Sequence, residues 1–273
     1  MPLAGSTVVR RQLGRHLRRL RDGAGKTDAD VEEAGLASKA KLWRIETGKV
    51  TVKPGDVRGL CWLYGAEPRT IDALATLATG TRSQGWWEDY GHRWSGLRLG
   101  LEETADEMRT YNAELVHDLL QTPDYVRSLC RAARPDTTDE CVRTQVKLRA
   151  ERQQRLLTRT PPQRLVAVLG AGVLTRPVGG PAVMAEQLAY LRDLNRRDNV
   201  DIRVLPWEAG AHPAMLAGPF MIFDFHHEAD PAVVRAETHA GARYLEKPDE
   251  VAEYRRVFDL IYRRTTPIEN FQP

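Results

Sequence analysis

A chain of 273 residues has room for two domains of ordinary size, or for one small and one larger domain. With 42% hydrophobic and 28% charged residues it reads as a folded globular protein, and no apolar run approaches the roughly 20 residues that a membrane helix needs. The net charge of +3 is unevenly spread: residues 1–60 hold 13 Lys and Arg against 7 Asp and Glu, so the rest of the chain is net negative.

A basic head on a mildly acidic body suits a nucleic-acid-binding end, although a solvated helix face gives the same charge. The opening residues MPLAGSTVVRRQLGR turn basic with no apolar stretch behind them, so no secretory leader is expected. Three widely spaced cysteines (Cys61, Cys130 and Cys141) suggest reduced thiols in a cytoplasmic protein, with no disulfide frame and no metal pair.

In chain order, Val9, Leu13, Leu17 and Leu20 recur at helical spacing between arginines, and Gly23 closes this first helix. Thr27 with Asp30 has the capping pattern of a second helix, which Gly35 breaks. Ser38 is the N-cap candidate of a third, with Leu42 and Ile45 as its buried face and Gly48 as its stop. Pro54 sits in the first turn of a fourth helix and Pro68 opens a fifth.

Residues 1–80 therefore predict a small all-α domain of five helices. Residues 81–96, dense in glycine and aromatics without apolar period, predict a connector. Residues 97–273 predict an α+β domain. Helices are expected over LEETADEMRTYNAELV (101–116), over TPDYVRSLCRAA, over about 137–159, at PAVMAEQLAYLRDLNRR and at PDEVAEYRRVFDLIYRR. Strands are expected at RLVAVLG, VDIRVLPW, GPFMIFDF and AVVRAET, forming a small, mostly antiparallel sheet.

The third helix, within SKAKLWRIETG, carries the clearest chemistry. A helix-turn-helix lays its second helix in the major groove, so that helix needs polar outward positions, apolar inward ones and phosphate donors at its flanks. Ser38, Lys39, Lys41, Arg44, Thr47 and Lys49 supply the donors, Thr27 flanks the preceding helix, and Leu42, Ile45 and Val31 form the small core between the two. Double-stranded DNA is the expected partner, bound by a dimer, because one such domain buries little surface alone.

Elsewhere Trp86, Trp87, Tyr90 and Trp94 form either an aromatic pocket wall or an interdomain plug. Arg109, Tyr111 and Gln121 are candidates to line a polar pocket with His212 and Glu237, or else to satisfy loop carbonyls. His226, His227 and Asp230 read as a surface turn rather than a metal set, and Glu237 with His239 as an ordinary hydrogen-bonded pair. The Gly170-Ala171-Gly172 triplet lacks the other glycines of a dinucleotide site. No catalytic set is identifiable, and no cofactor or metal is expected.

Several stretches resemble one family in order: RIETG (44–48), RSQGWWEDYG (82–91), RTYNAELVHDLLQTPDYVRS (109–128), LRAERQQRLLTR (148–159), LTRPVGGPAVMAEQLAYL (174–191), VLPWEAGAHPAMLAGPFMIFDF (204–225) and ARYLEKPDEVAEYRRVFD (242–259). They are similar to actinobacterial Xre-type regulators whose C-terminal domain has unknown function, of the Scr antitoxin-like type. That resemblance implies that the five helices of residues 1–80 form a lambda-repressor-like helix-turn-helix domain, and it implies a transcriptional regulator, a small partner protein encoded nearby, and a C-terminal domain that senses a ligand or partner.

The chain departs from the family pattern at the helix-turn-helix. Asp28 stands where the family usually has Gln, Gly35 precedes Leu36 instead of following it, and Trp43 replaces a small polar residue. Gly170-Ala171 replaces a usual acidic pair, and the end reads TTPIENFQP. Two readings stay open: a sequence-specific regulator, or a member without operator binding whose C-terminal domain binds or transforms a small molecule in a specialised-metabolite pathway.

Overall fold

A computed structural model describes residues 5–79, 98–99, 101–102, 105–225, 232–238 and 241–272. The chain divides into two units, Met1–Leu101 and Glu102–Pro273.

In the first unit the local signals place α1 (Gly5–Gly23), α2 (Asp28–Glu33), α3 (Lys39–Glu46), α4 (Pro54–Leu63) and α5 (Pro68–Thr79). Each start has a physical cause. The Thr27 hydroxyl accepts from the Asp30 amide while the Asp30 carboxylate accepts from the Thr27 amide at 2.6 Å, a reciprocal capping box. These hydrogen bonds from Thr27 hold the Asp30 carboxyl below its ordinary pKa. The Ser38 hydroxyl accepts from the Lys41 amide, and Pro54 stands in the first turn of α4, where its missing N–H costs nothing. α1 differs slightly from expectation: the helix includes Gly23, and the reversal comes at Gly25.

Leu13, Leu17, Val31, Leu42, Ile45, Val57, Leu60 and Cys61 fill the core of this unit. α1 and α3 meet at Gly14, where a Cβ would lie 2.4 Å from the Ile45 carbonyl oxygen and 2.5 Å from that of Glu46. The same two helices are joined by Arg21, whose guanidinium donates to both carboxylate oxygens of Glu46 at 2.7 and 3.1 Å. That hydrogen bond, strengthened by the Glu46 charge, raises the Arg21 pKa further above its already high ordinary value.

Burial pushes the Cys61 thiol up to about 11, whereas Cys141 is exposed on the second unit. Only a thiolate alkylates, so iodoacetamide at pH 8 should label Cys141 readily and leave Cys61 intact until denaturant is added. Peptide mass mapping before and after unfolding reads this out, and native labelling of Cys61 at the Cys141 rate would contradict the buried placement.

The second unit is built on seven strands: β1 (Glu107–Asn112), β2 (Arg164–Gly170), β3 (Val200–Leu205), β4 (Phe220–Asp224), β5 (Val233–Thr238), β6 (Gly241–Leu245) and β7 (Thr266–Pro267), in the order β6-β5-β4-β1-β2-β3-β7. β1–β2 and β2–β3 are parallel and the other four pairings antiparallel. Parallel neighbours need long crossovers. α6 (Pro123–Ala133) and α7 (Asp139–Thr158) connect β1 to β2, and α8 (Ala171–Thr175) and α9 (Pro181–Leu194) connect β2 to β3. α10 (Ala214–Ala217) precedes β4, and α11 (Pro248–Tyr262) covers one sheet face. Val251, Val257, Phe258 and Ile261 of α11 pack there on Tyr111, Val166, Val168, Phe220, Ile222 and Val234.

The fold class is thus α+β as expected, with one correction. The helix expected over 101–116 does not run through: residues 107–112 are the strand at the centre of the sheet. β6 and β7 were not anticipated either. The second unit also holds a buried ionic knot. Arg152 of α7 donates to both Glu102 oxygens at 2.9 and 2.7 Å and to Asp118 at 3.2 Å, and Gln163 ties the carbonyls of Glu102 and Ala105 together.

Candidate nucleic-acid interface

The link from α2 to α3 shows how the sequence shapes the reading helix. Ala34 caps α2, the Gly35 amide donates to the Glu32 carbonyl and the Leu36 amide donates to the Val31 carbonyl. This is a Schellman ending, and it requires positive φ at the residue after the cap; Gly35 supplies +71°. The order Gly35-Leu36 therefore closes a regular turn, with Leu36 lying where a Cβ on Gly59 of α4 would meet it at 2.8 Å.

Val31, Leu42 and Ile45 are buried, as the spacing predicts, so the opposite side of α3 faces solvent. At 3.6 residues per turn the outward line is Ala40, Trp43 and Thr47, with Arg44 beside it. Trp43 is 53% exposed and lies at the middle of this line. The Lys49 ammonium stands over its ring at 4.0 Å.

Of the residues singled out by sequence, Lys39 and Arg44 are exposed, and among the described residues Lys39 makes no ion pair or hydrogen bond through its side chain. The Arg44 Nε donates to the Ala40 carbonyl, and the Thr47 hydroxyl donates to the Trp43 carbonyl at 2.7 Å. Thr27 and Ser38 are occupied as caps. Lys41 is different: its ammonium pairs with Asp56 of α4 at 3.1 Å, so one of the expected cations is partly neutralised. Sequence reasoning missed Asp56 as a competitor; it singled out Trp43 as a departure but did not place it with Ala40 on the central line. Leu42 and Ile45 already fixed the inward side, so the opposite line was readable from them.

The family described as "Helix-turn-helix domain" matches residues 12–74. The family described as "Domain of unknown function (DUF5753)" matches residues 97–268, well over half of the chain. The chain belongs to the DUF5753 family. No curated protein and no solved structure matches it. No helix among the described residues is long and apolar enough to cross a membrane.

Within the DUF5753 unit the structure brings only two of the expected pocket residues together. Tyr111 is buried at the end of β1 and meets the His212 ring edge-on at 5.8 Å. Desolvation, then the charge of Arg264, lowers the His212 pKa, and burial raises that of Tyr111. Arg109 is engaged by Asp224 at 2.6 Å and Glu107 at 3.1 Å. Gln121 is buried elsewhere: it donates to the Val116 carbonyl and accepts from Arg149. Glu237, exposed on β5, pairs with Arg235. A single polar pocket made of all five is therefore not what the fold builds. Trp86, Trp87, Tyr90, Trp94, His226, His227, Asp230 and His239 lie outside the described residues. Close to His212 in sequence, Trp207, Met215 and Leu216 are each exposed.

Proposed function

We propose that this DUF5753 protein is a sequence-specific, DNA-binding transcription regulator of the actinobacterial Xre kind. In this antitoxin-like reading residues 1–80 bind DNA, 81–96 connect, and 97–273 sense a ligand or a small partner protein. It acts as a cytoplasmic homodimer whose paired α3 helices enter successive major grooves. The observation that carries the reading is the outward face of α3 and the turn after it, where Lys39, Trp43 and Arg44, then Lys49, are exposed over a buried Leu42–Ile45 side. The exposed Trp207, Met215 and Leu216 support a partner-binding role for the second unit.

The test is a titration of the purified protein with a fluorescent duplex from its own promoter, at about 50 and about 200 mM salt. Selective binding that weakens with salt is expected. Lys39→Ala should lower the salt slope by about one, the loss of one phosphate contact. Asp56→Asn frees Lys41 and should tighten binding by about threefold, within the range of an exposed ion pair. No shift at micromolar protein at either salt sinks the proposal.

One observation favours the second reading, loss of operator binding with small-molecule handling by the DUF5753 unit. Asp28, Glu32 and Glu33 of α2 are exposed anions beside the reading helix. Asp28→Gln tests it: if the wild-type chain fails to bind and this variant binds, the α2 carboxylates are what abolished operator binding and the second reading stands.

A further inference from the structure

Apolar side chains at the centre of an otherwise cationic helix face need a reason. Trp43 has most of its surface in water on the first unit, although a buried indole would stabilise the core. Around it stand Lys39, Arg44 and Lys49, and below it the methyl group of Ala40. The indole offers one donor and no acceptor, so it cannot read a base edge bidentately. What the major groove offers an apolar surface is the C5-methyl of thymine.

We infer that Trp43, with Ala40, is the specificity-determining contact of this helix, packing on thymine methyl groups of a duplex whose phosphates are held by Lys39, Arg44 and Lys49. The inference rests on the proposed DNA-binding role and deepens it. The cations surrounding the indole match a polyanion and argue against an apolar protein surface as occupant. Lys49, now stacked on the ring at 4.0 Å, swings to a phosphate when the groove covers Trp43.

The experiment starts with selection of bound duplexes from a random library by the full-length protein. Each conserved thymine of the selected site is then replaced by deoxyuridine, which removes one methyl and nothing else. At one or two positions the replacement should weaken binding by about fourfold, the value of one buried methyl. Trp43→Ala should weaken binding to the thymine duplex by about tenfold or more and make thymine and deoxyuridine duplexes equivalent, a coupling that a structural role would not give. Because Trp43 is exposed, the variant should keep its far-UV spectrum and thermal midpoint.

Selective binding with no deoxyuridine effect, or an equal loss on both duplexes, overturns the inference and leaves the regulator reading standing. Failure to enrich any duplex overturns both. If Trp43→Ala instead splits a dimer in sedimentation while the thymine-to-deoxyuridine ratio is unchanged, the face belongs to a second copy of the chain and the inference fails.

Discussion

Gly14→Ala should strongly destabilise the helix-turn-helix unit. Helix propensity alone points the other way, since alanine in mid-helix is about 1 kcal/mol better than glycine. The added methyl would lie 2.4 to 2.7 Å from the Ile45 carbonyl oxygen and the Glu46 carbonyl group. These are backbone atoms of α3, held from below by buried Leu42 and Ile45 and from the side by the Arg21–Glu46 pair, so they have nowhere to move. We expect a net loss of about 3 kcal/mol, the upper end of overpacking costs. Hydrogen exchange read by mass spectrometry is the measurement, because it separates the two units. Peptides of α1 and α3 should lose protection while those of β1–β4 keep it. An equally protected or more stable variant would mean that α1 and α3 do not cross at Gly14.

The second large effect belongs to Arg152→Met. Its guanidinium is 6% exposed and faces Glu102 at 7%, with Asp118 also engaged. Removing the cation takes from two carboxylates the guanidinium they share, and breaking such a buried pair costs about 3–5 kcal/mol. Methionine keeps the volume of the stem, so the loss is electrostatic rather than a cavity. Urea unfolding followed by circular dichroism should show an earlier transition of the second unit. The double variant with Glu102→Gln should regain much of the loss, since it removes the buried carboxylate that the guanidinium neutralised. A midpoint for Arg152→Met equal to that of the parent, or a double variant weaker than the sum of its parts, would show that the knot is not what it is taken to be.

How far these elements could be read from the chain depends on how local their causes are. The first unit was legible because caps, prolines and glycines act within one turn. Thr27, Ser38, Gly35 and Gly48 mark its helix ends, and Val31, Leu42 and Ile45 mark its core. Strands β2 to β5 were legible as β-branched and aromatic runs.

β1 was not. Leu101, Ala105, Met108 and Leu115 fall at near-helical spacing, and the strand itself, EMRTYN, alternates poorly. A central strand is covered on both faces, and here Arg109 pairs with Asp224 and Glu107 with Arg164. Only the neighbours supply that information. The interface shows the same division. The inward side of α3 follows from spacing, whereas the capture of Lys41 by Asp56 depends on how α4 docks. In the second unit Tyr111 and His212 meet because β1 ends beside the loop before α10, a fact of topology.

That central strand has a consequence for synthesis. The Thr110 hydroxyl donates to the Phe220 carbonyl across 110 residues of chain, and Arg109 reaches Asp224 across 115. On the ribosome, at about 5–20 residues per second, β1 waits on the order of ten seconds for β4. The amino-terminal helices, whose mutual contacts span a few dozen residues, are complete by then. A nascent chain halted between β3 and β4 would carry a finished DNA-facing head and an open strand edge, the species that chaperones must shield and that a premature stop codon there would release.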